Sequence, residues 1–226
     1  MNLNANFDER AVVHSDRQPW VASPMKGVDR RMLDRIGDEV ARATTIVRYA
    51  PGSAFSAHTH TGGEEFLVLE GVFQDEHGDF PVGTYVRNPP TSSHTPSSAE
   101  GATIFVKLWQ FDMDDRQQIT IDTTTQTPQP VRAGVSEIPL FEDAHERVRI
   151  ELWEPNVAVT QAGHNGFEAL VVEGSFIEGD EVFGVNSWLR LPPHTPLSAV
   201  SGPEGARLWV KSGHLADTPT APNVGG

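Results

Sequence analysis

The sequence of 226 residues contains no cysteine. Disulfide bonds, thiolate metal sites and cysteine nucleophiles are therefore excluded. The chain also lacks an apolar run long enough to cross a membrane, so no membrane partner is expected. Its first residues, MNLNANFDER, contain no basic segment leading into an apolar core. We therefore expect no secretory signal and a cytoplasmic protein.

Basic residues are scarce, because 17 Lys and Arg stand against 31 Asp and Glu and give a formal charge of −14. An acidic surface of this kind repels phosphate backbones, so direct nucleic-acid binding is not expected. Apolar residues make up 38% of the chain, which is enough for a folded core. A chain of this length can form one large β domain or two small ones.

Glycine and proline are frequent and separate short apolar runs of strand length. These runs are rich in Val, Ile, Thr and aromatic residues, and they include TTIVRY, EFLVLEG, TIFVKLW, RIELW, ALVVEG and ARLWVK. The pattern predicts an all-β chain that forms a sandwich or barrels. The segment DRRMLDRIGDEVA also places apolar residues at roughly helical spacing, so a short helix is an open alternative there.

The sequence repeats itself in order. GGEEFLVLEGVF at 62–73 resembles NGFEALVVEGSF at 165–176, VGTYVRNPP resembles GVNSWLRLPP, and HTP recurs at 94–96 and 194–196. The offset is 103 as far as the double proline. We therefore predict two tandem domains, residues 1–125 and 126–226, joined by the polar segment TTTQTPQPVRAG.

The stretch PGSAFSAHTHTGGEEFLVLEG carries the chemistry. His58 and His60 are two residues apart and share one side of a strand, and imidazole is a common ligand for transition metals. The glycine pair offers a turn that could bring a glutamate back over them, and His94 follows near a proline-held turn. Three histidines and a carboxylate would make a metal site with room for water. A surface or core pair of histidines is the alternative.

The spacing also carries a family resemblance. G52-x5-H58-x-H60-x3-E64-x6-G71 resembles the first cupin motif, and G83-x5-P89-x-T91-x2-H94 resembles the second. The resemblance implies two antiparallel jelly-roll type barrels. It also implies that His58, His60, Glu64 and His94 are the metal ligands. It selects Glu64 over Glu65. We expect Glu65 to be an outward or rim residue, and the alternative is that it orients His58 or His60.

Residues of about 20–115 are similar to the cupin domain of ChrR-type zinc-binding anti-sigma factors. That likeness implies one divalent transition metal per chain, zinc first, with iron, manganese and nickel as the other candidates. It also implies transcription regulation and a sigma factor as a possible partner. In that family an N-terminal zinc domain with histidine and cysteine grips the sigma factor. This chain has no cysteine, and we expect no separate helical domain before the cupin. We therefore do not expect this chain to bind a sigma factor in the way that the N-terminal zinc domain does in the family.

The second copy is expected to be degenerate. On the offset of 103, His58 maps to Gln161 and Glu64 maps to Phe167, whereas the HTP match retains His194. A shift of one residue gives an alternative in which His164, Glu168 and His194 form a site of two histidines and one carboxylate. Otherwise we expect the second domain to have a structural or ligand-shaping role.

Two classes of function are open. Three neutral imidazoles and one carboxylate around a divalent ion leave a charge of about +1, which attracts a small anionic ligand. The site could belong to a sensory or regulatory protein, or to a cupin enzyme such as a dioxygenase of diketone-like substrates or an isomerase. A metal-free binding bicupin is a third reading. Both faces of the strand that carries Phe66 and Leu67 are apolar, which indicates packing on another sheet or in a homodimer.

Overall fold

A computed structural model describes residues 1–38 and 40–222 of the chain. It confirms the all-β prediction, since the sole helical element in that range is a 3-10 turn at Ser15–Arg17. No helix in the described range is both long and apolar enough to cross a membrane. The chain divides into two compact units.

The first unit comprises Met1–Ala5, Pro19–Thr124 and residues 220–222 of the described chain. Its strands are β1 (Asn2–Leu3), β3 (Val21–Ala22), β4 (Val28–Gly37), β5 (Ala41–Tyr49), β6 (Ser53–Ala54), β7 (His58–His60), β8 (Glu64–Asp75), β9 (Gly78–Pro81), β10 (Thr84–Asn88), β11 (Ser92–His94), β12 (Ser97–Ser98), β13 (Ala102–Leu108) and β14 (Ile119–Asp122).

The second unit comprises Asn6–Gln18 and Thr125–Pro219. Its strands are β2 (Ala11–His14), β15 (Gln129–Arg132), β16 (Val135–Glu142), β17 (Arg147–Trp153), β18 (Ala158–Gln161), β19 (Phe167–Glu178), β20 (Glu181–Phe183), β21 (Ser187–Leu191) and β22 (Leu197–Ser212).

The two units repeat one topology. The main sheet of the first unit has the order β4-β5-β13-β8-β10-β14, and that of the second has β16-β17-β22-β19-β21-β2, with antiparallel pairing throughout. The equivalent strands β8 and β19 have the same length and start 103 residues apart, as do β10 and β21. The internal repeat predicted from the sequence is therefore a repeat of structure.

The N-terminal segment completes the second unit. β2 pairs with β21 and takes the position in the sheet order that β14 has in the first unit. Phe7 and Val13 are buried there, and Arg10 binds Glu178 and Glu181. The sequence-based division at residue 125 assigned this segment to the first domain. The structure pairs it with a strand more than 170 residues away along the chain.

The helical alternative for the segment DRRMLDRIGDEVA is wrong, because its residues 29–37 lie in β4, which pairs with β5 along its length, and its last residue, Ala41, begins β5. A register shift between Met32 and Asp34 interrupts the strand alternation. That bulge breaks the two-residue periodicity in the sequence and gives the apolar residues their helix-like spacing.

The core of each unit follows strand alternation. In β8, Phe66 and Val68 enter a buried cluster with Phe73, Val86 and Ile104. The corresponding cluster of the second unit includes Ala169, Val171, Phe176, Leu189 and Leu208. Both clusters lie on the side of the strand that carries Glu64 or its counterpart.

A glycine ends the regular part of β8 and of β19 at the same place. Gly71 and Gly174 have φ of 69° and 70°. A Cβ on Gly71 would lie 2.0 Å from the Gly101 carbonyl oxygen, and one on Gly174 would lie 2.1 Å from the Gly205 carbonyl oxygen. A side chain cannot fit against that backbone. The match shows that the repeat extends to local backbone geometry.

Candidate metal centre

Local pairing brings the histidines together. β7 and β11 form a two-stranded ladder in which His58 lies opposite His94 and His60 lies opposite Ser92. Thr61, Gly62 and Gly63 then turn the chain into β8, where Glu64 is the first residue. Gly63 has φ of 77°, a conformation that favours glycine. One short turn and one strand pairing therefore bring all four predicted ligands together.

The donor atoms converge. One ligand nitrogen from each of His58, His60 and His94 lies within 4.8 Å of the others. His60 Nε2 is 3.0 Å from His94 Nε2, and Glu64 Oε2 is 3.3 Å from His60 Nε2 and 3.8 Å from His94 Nε2. The predicted residues thus form one cluster, in which Glu64 faces two of the three imidazoles.

The spacing fits a transition-metal ion. Ligand atoms at about 2.1 Å from one ion are about 3.0 Å apart at a right angle and about 3.4 Å apart at the tetrahedral angle. The separations of 3.0 Å between His60 and His94 and of 3.3 Å between His60 and Glu64 are close to these values, and that of 3.8 Å between His94 and Glu64 is longer. Imidazole nitrogens with one carboxylate suit zinc, iron, nickel and manganese, and the donors do not choose among them.

Glu65 is not a rim residue, and that expectation is wrong. Its side chain is 1% exposed and lies on the opposite side of β8 from Glu64. It accepts a hydrogen bond of 2.7 Å from the Tyr85 hydroxyl and lies 3.6 Å from Arg87 Nη1. Strand alternation therefore assigns the two adjacent glutamates to different environments, as the cupin spacing implied when it selected Glu64.

Polar residues that the sequence analysis missed hold two members of the cluster. Asn88 Nδ2 donates to Glu64 Oε2 at 3.2 Å, and Asp75 Oδ2 lies 3.2 Å from His94 Nδ1. Asn88 could have been found from the repeat, because its counterpart at the offset of 103 is Leu191. Asp75 left no such signal, because its counterpart, Glu178, is also acidic.

Burial sets the protonation of the cluster. It lowers the pKa of His60 to about 4, with the neighbouring His58 adding to the effect. It also lowers the pKa of His94 and raises the pKa of Glu64. The imidazoles of His60 and His94 are consequently neutral at pH 7, the state that a metal ion requires.

The cluster is closed on one side and open on the other. His60, Glu64 and His94 are buried, and the Phe73 ring lies 6.0 Å from the His94 ring. His58 is exposed, and its Nδ1 lies 3.4 Å from the Ser56 carbonyl oxygen. Solvent or a small molecule can therefore reach the cluster from the His58 side.

The second unit has lost this donor set more fully than the sequence indicated. Gln161 lies opposite Leu197 in the strand ladder, as His58 lies opposite His94, and both pairs differ by 103. Leu197 therefore replaces His94. His194 instead takes the place of Thr91, since both have positive φ and both backbone N–H groups bond to the equivalent turn. Treating His194 as a retained ligand was wrong.

The shifted-register site does not form. Glu168 accepts a hydrogen bond of 2.7 Å from Trp188 Nε1 and lies 3.2 Å from His214, in the manner of Glu65 rather than Glu64. Gln161, the counterpart of His58, instead bonds with Arg149 and Glu151. Over residues 1–38 and 40–222, the group suited to a metal is that of His58, His60 and His94.

Comparison with known proteins agrees with this geometry. A family model described as the ChrR Cupin-like domain matches residues 8–112. A search of curated proteins found no match to the sequence. The resemblance to cupins and to the ChrR cupin domain is thereby confirmed, and the structural neighbours extend the fold to the rest of the chain.

The solved structures similar to the chain include three that span most of it. A "putative dioxygenase" from Nostoc punctiforme has a TM-score of 0.72 at 14% identity, covering 100% of this chain and 87% of its own. Bacterial pirin YhhW in complex with nickel(II), from Escherichia coli, has a TM-score of 0.63 at 14% identity, and the match covers 91% of this chain and 99% of the pirin. A cupin 2 conserved barrel domain protein from Leptotrichia buccalis has a TM-score of 0.61 at 8% identity, and the match covers 89% of this chain and 95% of that protein. These likenesses establish the fold alone.

Proposed function

We propose that this chain is a metal-dependent regulatory protein. It has the cupin fold, and its residues 8–112 match the ChrR cupin-like family. His58, His60, Glu64 and His94 would hold one divalent transition metal in the first barrel, zinc ahead of iron, manganese or nickel. The observation that carries the proposal is the convergence of three imidazoles within 4.8 Å with a buried carboxylate beside them.

A small anionic ligand is the proposed signal. Neutral imidazoles and one carboxylate leave about one positive charge on a site with a divalent ion, and the surrounding protein carries a formal charge of −14. An anion would be drawn to the metal rather than to the surface. It would enter on the side of the exposed His58, because the other ligands are buried.

The regulatory reading rests on how the acidic groups are used. The carboxylates that contact these imidazoles belong to Glu64 and Asp75. Because both carboxylates are engaged with histidines, neither is free to act as a general base. The likeness to ChrR cupin domains supports the same reading. Because the chain has no cysteine, any response to an oxidant would act through the metal or its histidines.

Metal content is the first test. Protein purified without added metal should contain about one equivalent of a transition metal, and His94→Ala should lose it. His194→Ala is the matched control, because His194 shares the HTP sequence but lies in the second unit. Full occupancy in His94→Ala would contradict the assignment. Zinc would favour sensing and iron would favour oxygen chemistry.

The enzyme reading is the second candidate, and the open side at His58 favours it. A structural neighbour carries the name of a dioxygenase, which is a reason to test oxygen chemistry. Oxygen uptake by iron-loaded protein with diketones and aromatic diols is the assay. Turnover that disappears in Glu64→Ala would replace the regulatory proposal. A parallel binding assay with sigma factors tests that partner directly, and tight binding would show that the family's cysteine-containing domain is dispensable.

A further inference from the structure

Asp75 lies at the end of β8, eleven residues beyond Glu64, and its carboxylate reaches back to the candidate metal centre. Its Oδ2 is 3.2 Å from His94 Nδ1. The side chain is 6% exposed, and that of His94 is 4% exposed. Its Oδ1 accepts a hydrogen bond of 2.7 Å from the His77 backbone N–H, which fixes the carboxylate within the turn between β8 and β9.

The contact determines which nitrogen of His94 carries the proton. A carboxylate accepts a hydrogen bond, so Nδ1 is the protonated nitrogen and Nε2 keeps its lone pair. That Nε2 is the atom that faces His60 and Glu64, at 3.0 and 3.8 Å. The arrangement therefore points the basic nitrogen of His94 into the cluster before any metal arrives.

The same turn also holds the backbone next to His94. Glu76 Oε2 accepts a hydrogen bond of 2.7 Å from the Thr95 N–H, and Gln74 Oε1 accepts one of 2.8 Å from the Ala99 N–H. Consecutive residues of β8 and its turn thus hold the segment that follows β11. Of these contacts, the one from Asp75 reaches the imidazole itself.

The second unit provides an internal comparison. There Leu197 stands at the place of His94, and Glu178, the counterpart of Asp75, binds Arg10 at 2.6 Å instead. The strand, the turn and the acidic residue are all retained, but the contact with an imidazole is gone. The fold therefore forms without this contact, and its presence in the first unit goes with the histidine.

From these contacts we infer that Asp75 is a positioning residue for metal binding, which sets the tautomer and orientation of His94. The inference rests on the proposed metal site. It adds a residue outside the motif spacing, contributed by a different end of β8 from Glu64.

Two measurements test it on the full chain. The first is nitrogen-15 NMR of the histidine rings in metal-free protein, where His94 should be the Nδ1–H tautomer in the wild type. Asp75→Ala should shift His94 towards the other tautomer. The second is zinc affinity from competition with a chelator, which should fall about 10- to 100-fold in Asp75→Ala.

Asp79→Asn is the matched control. Asp79 lies on the same hairpin, and its carboxylate accepts a hydrogen bond of 2.7 Å from Gln74 rather than contacting His94. This variant should keep both the tautomer and the affinity of the wild type. Asp75→Asn serves as a milder second variant if Asp75→Ala does not fold, with an intermediate loss of affinity expected.

The outcomes separate the inference from the metal site itself. An Nε2–H tautomer of His94 in the wild type, or wild-type zinc affinity in both Asp75 variants, overturns the inference. If the wild type binds no metal while the tautomer responds to Asp75, the metal site is wrong, and so is the role of Asp75 in metal binding. A similar loss of affinity in Asp79→Asn would show a general effect of the hairpin and would also overturn the role of Asp75.

Discussion

Acidification of the metal-free protein should weaken the fold through His60. Burial lowers the pKa of this imidazole from 6.5 to about 4 in the folded chain. Between pH 4 and pH 6.5, the His60 imidazole is therefore mostly protonated in the unfolded chain and mostly neutral in the folded chain. The contribution of His60 is therefore fully present above pH 6.5 and is lost as the pH falls towards 4.

The magnitude follows from the difference in pKa. A decrease of about 2.5 corresponds to about 3 kcal/mol in the free energy of unfolding between pH 7 and pH 4. The side chain of His60 is 6% exposed, so solvent screens this effect little. His94 should act in the same direction, because burial lowers its pKa as well.

Glu64 acts in the opposite direction. Burial raises its pKa, so the folded chain binds a proton at Glu64 more readily than the unfolded chain does. Stability is gained at this group as the pH falls through its raised pKa. The pH dependence of the wild type is thus a sum of opposing contributions, and a comparison with a variant is needed to isolate His60.

Urea unfolding of chelator-treated wild type and His60→Gln at several pH values is the assay. The difference in unfolding free energy between the two proteins should change by about 3 kcal/mol from pH 7 to pH 4, in the direction of a relatively weaker wild type at low pH. His77→Gln, in an exposed turn, is the control and should show a constant difference. A constant difference for His60→Gln as well would refute the reasoning, as would an NMR titration of His60 near 6.5.

Three further outcomes are expected. His94→Ala should abolish metal binding and His194→Ala should leave metal content unchanged, as elemental analysis would show; a stoichiometry near two per chain would contradict the assignment of a single site. Gly62→Ala should weaken metal binding without unfolding the second unit. A Cβ at this position would lie 2.0 Å from the Trp109 ring and would displace the turn between His60 and Glu64. Unchanged zinc affinity would contradict this expectation. Deletion of residues 1–18 should raise hydrogen exchange in β21 but not in β10, since β2 pairs with β21; equal protection of β21 with and without the segment would show that this pairing is dispensable.

Local sequence determined much of this protein. Strand alternation separates Phe66 and Val68 from Leu67, and it separates Glu64 from Glu65, because side chains alternate across a strand whatever lies beyond it. His58, His60 and Glu64 lie on either side of one short turn, and the cupin motif selected Glu64 from the two adjacent glutamates. The repeat at an offset of 103 likewise fixed the equivalence of β8 with β19 and of β10 with β21.

Tertiary structure decided the features that depend on distant pairing. The two HTP segments are identical in sequence, yet only His94 lies opposite His58, and Leu197 has that place in the second unit. Strand pairing keeps the offset of 103 in both units, whereas HTP recurs at an offset of 100, so His194 lies three residues before the residue that meets Gln161. A matching tripeptide does not record the register of a strand pair.

The same reason explains the N-terminal strand and Asp75. β2 completes a sheet whose partner strand is more than 170 residues away, and nothing in its four residues specifies that neighbour. In the sequence, Asp75 is one of several acidic residues in a segment of turn composition. Its role depends on the folded structure, in which its carboxylate lies 3.2 Å from His94 Nδ1. The cupin motifs in the sequence pointed to the candidate ligands, whereas the contact of Asp75 with one of them exists only in the folded sheet.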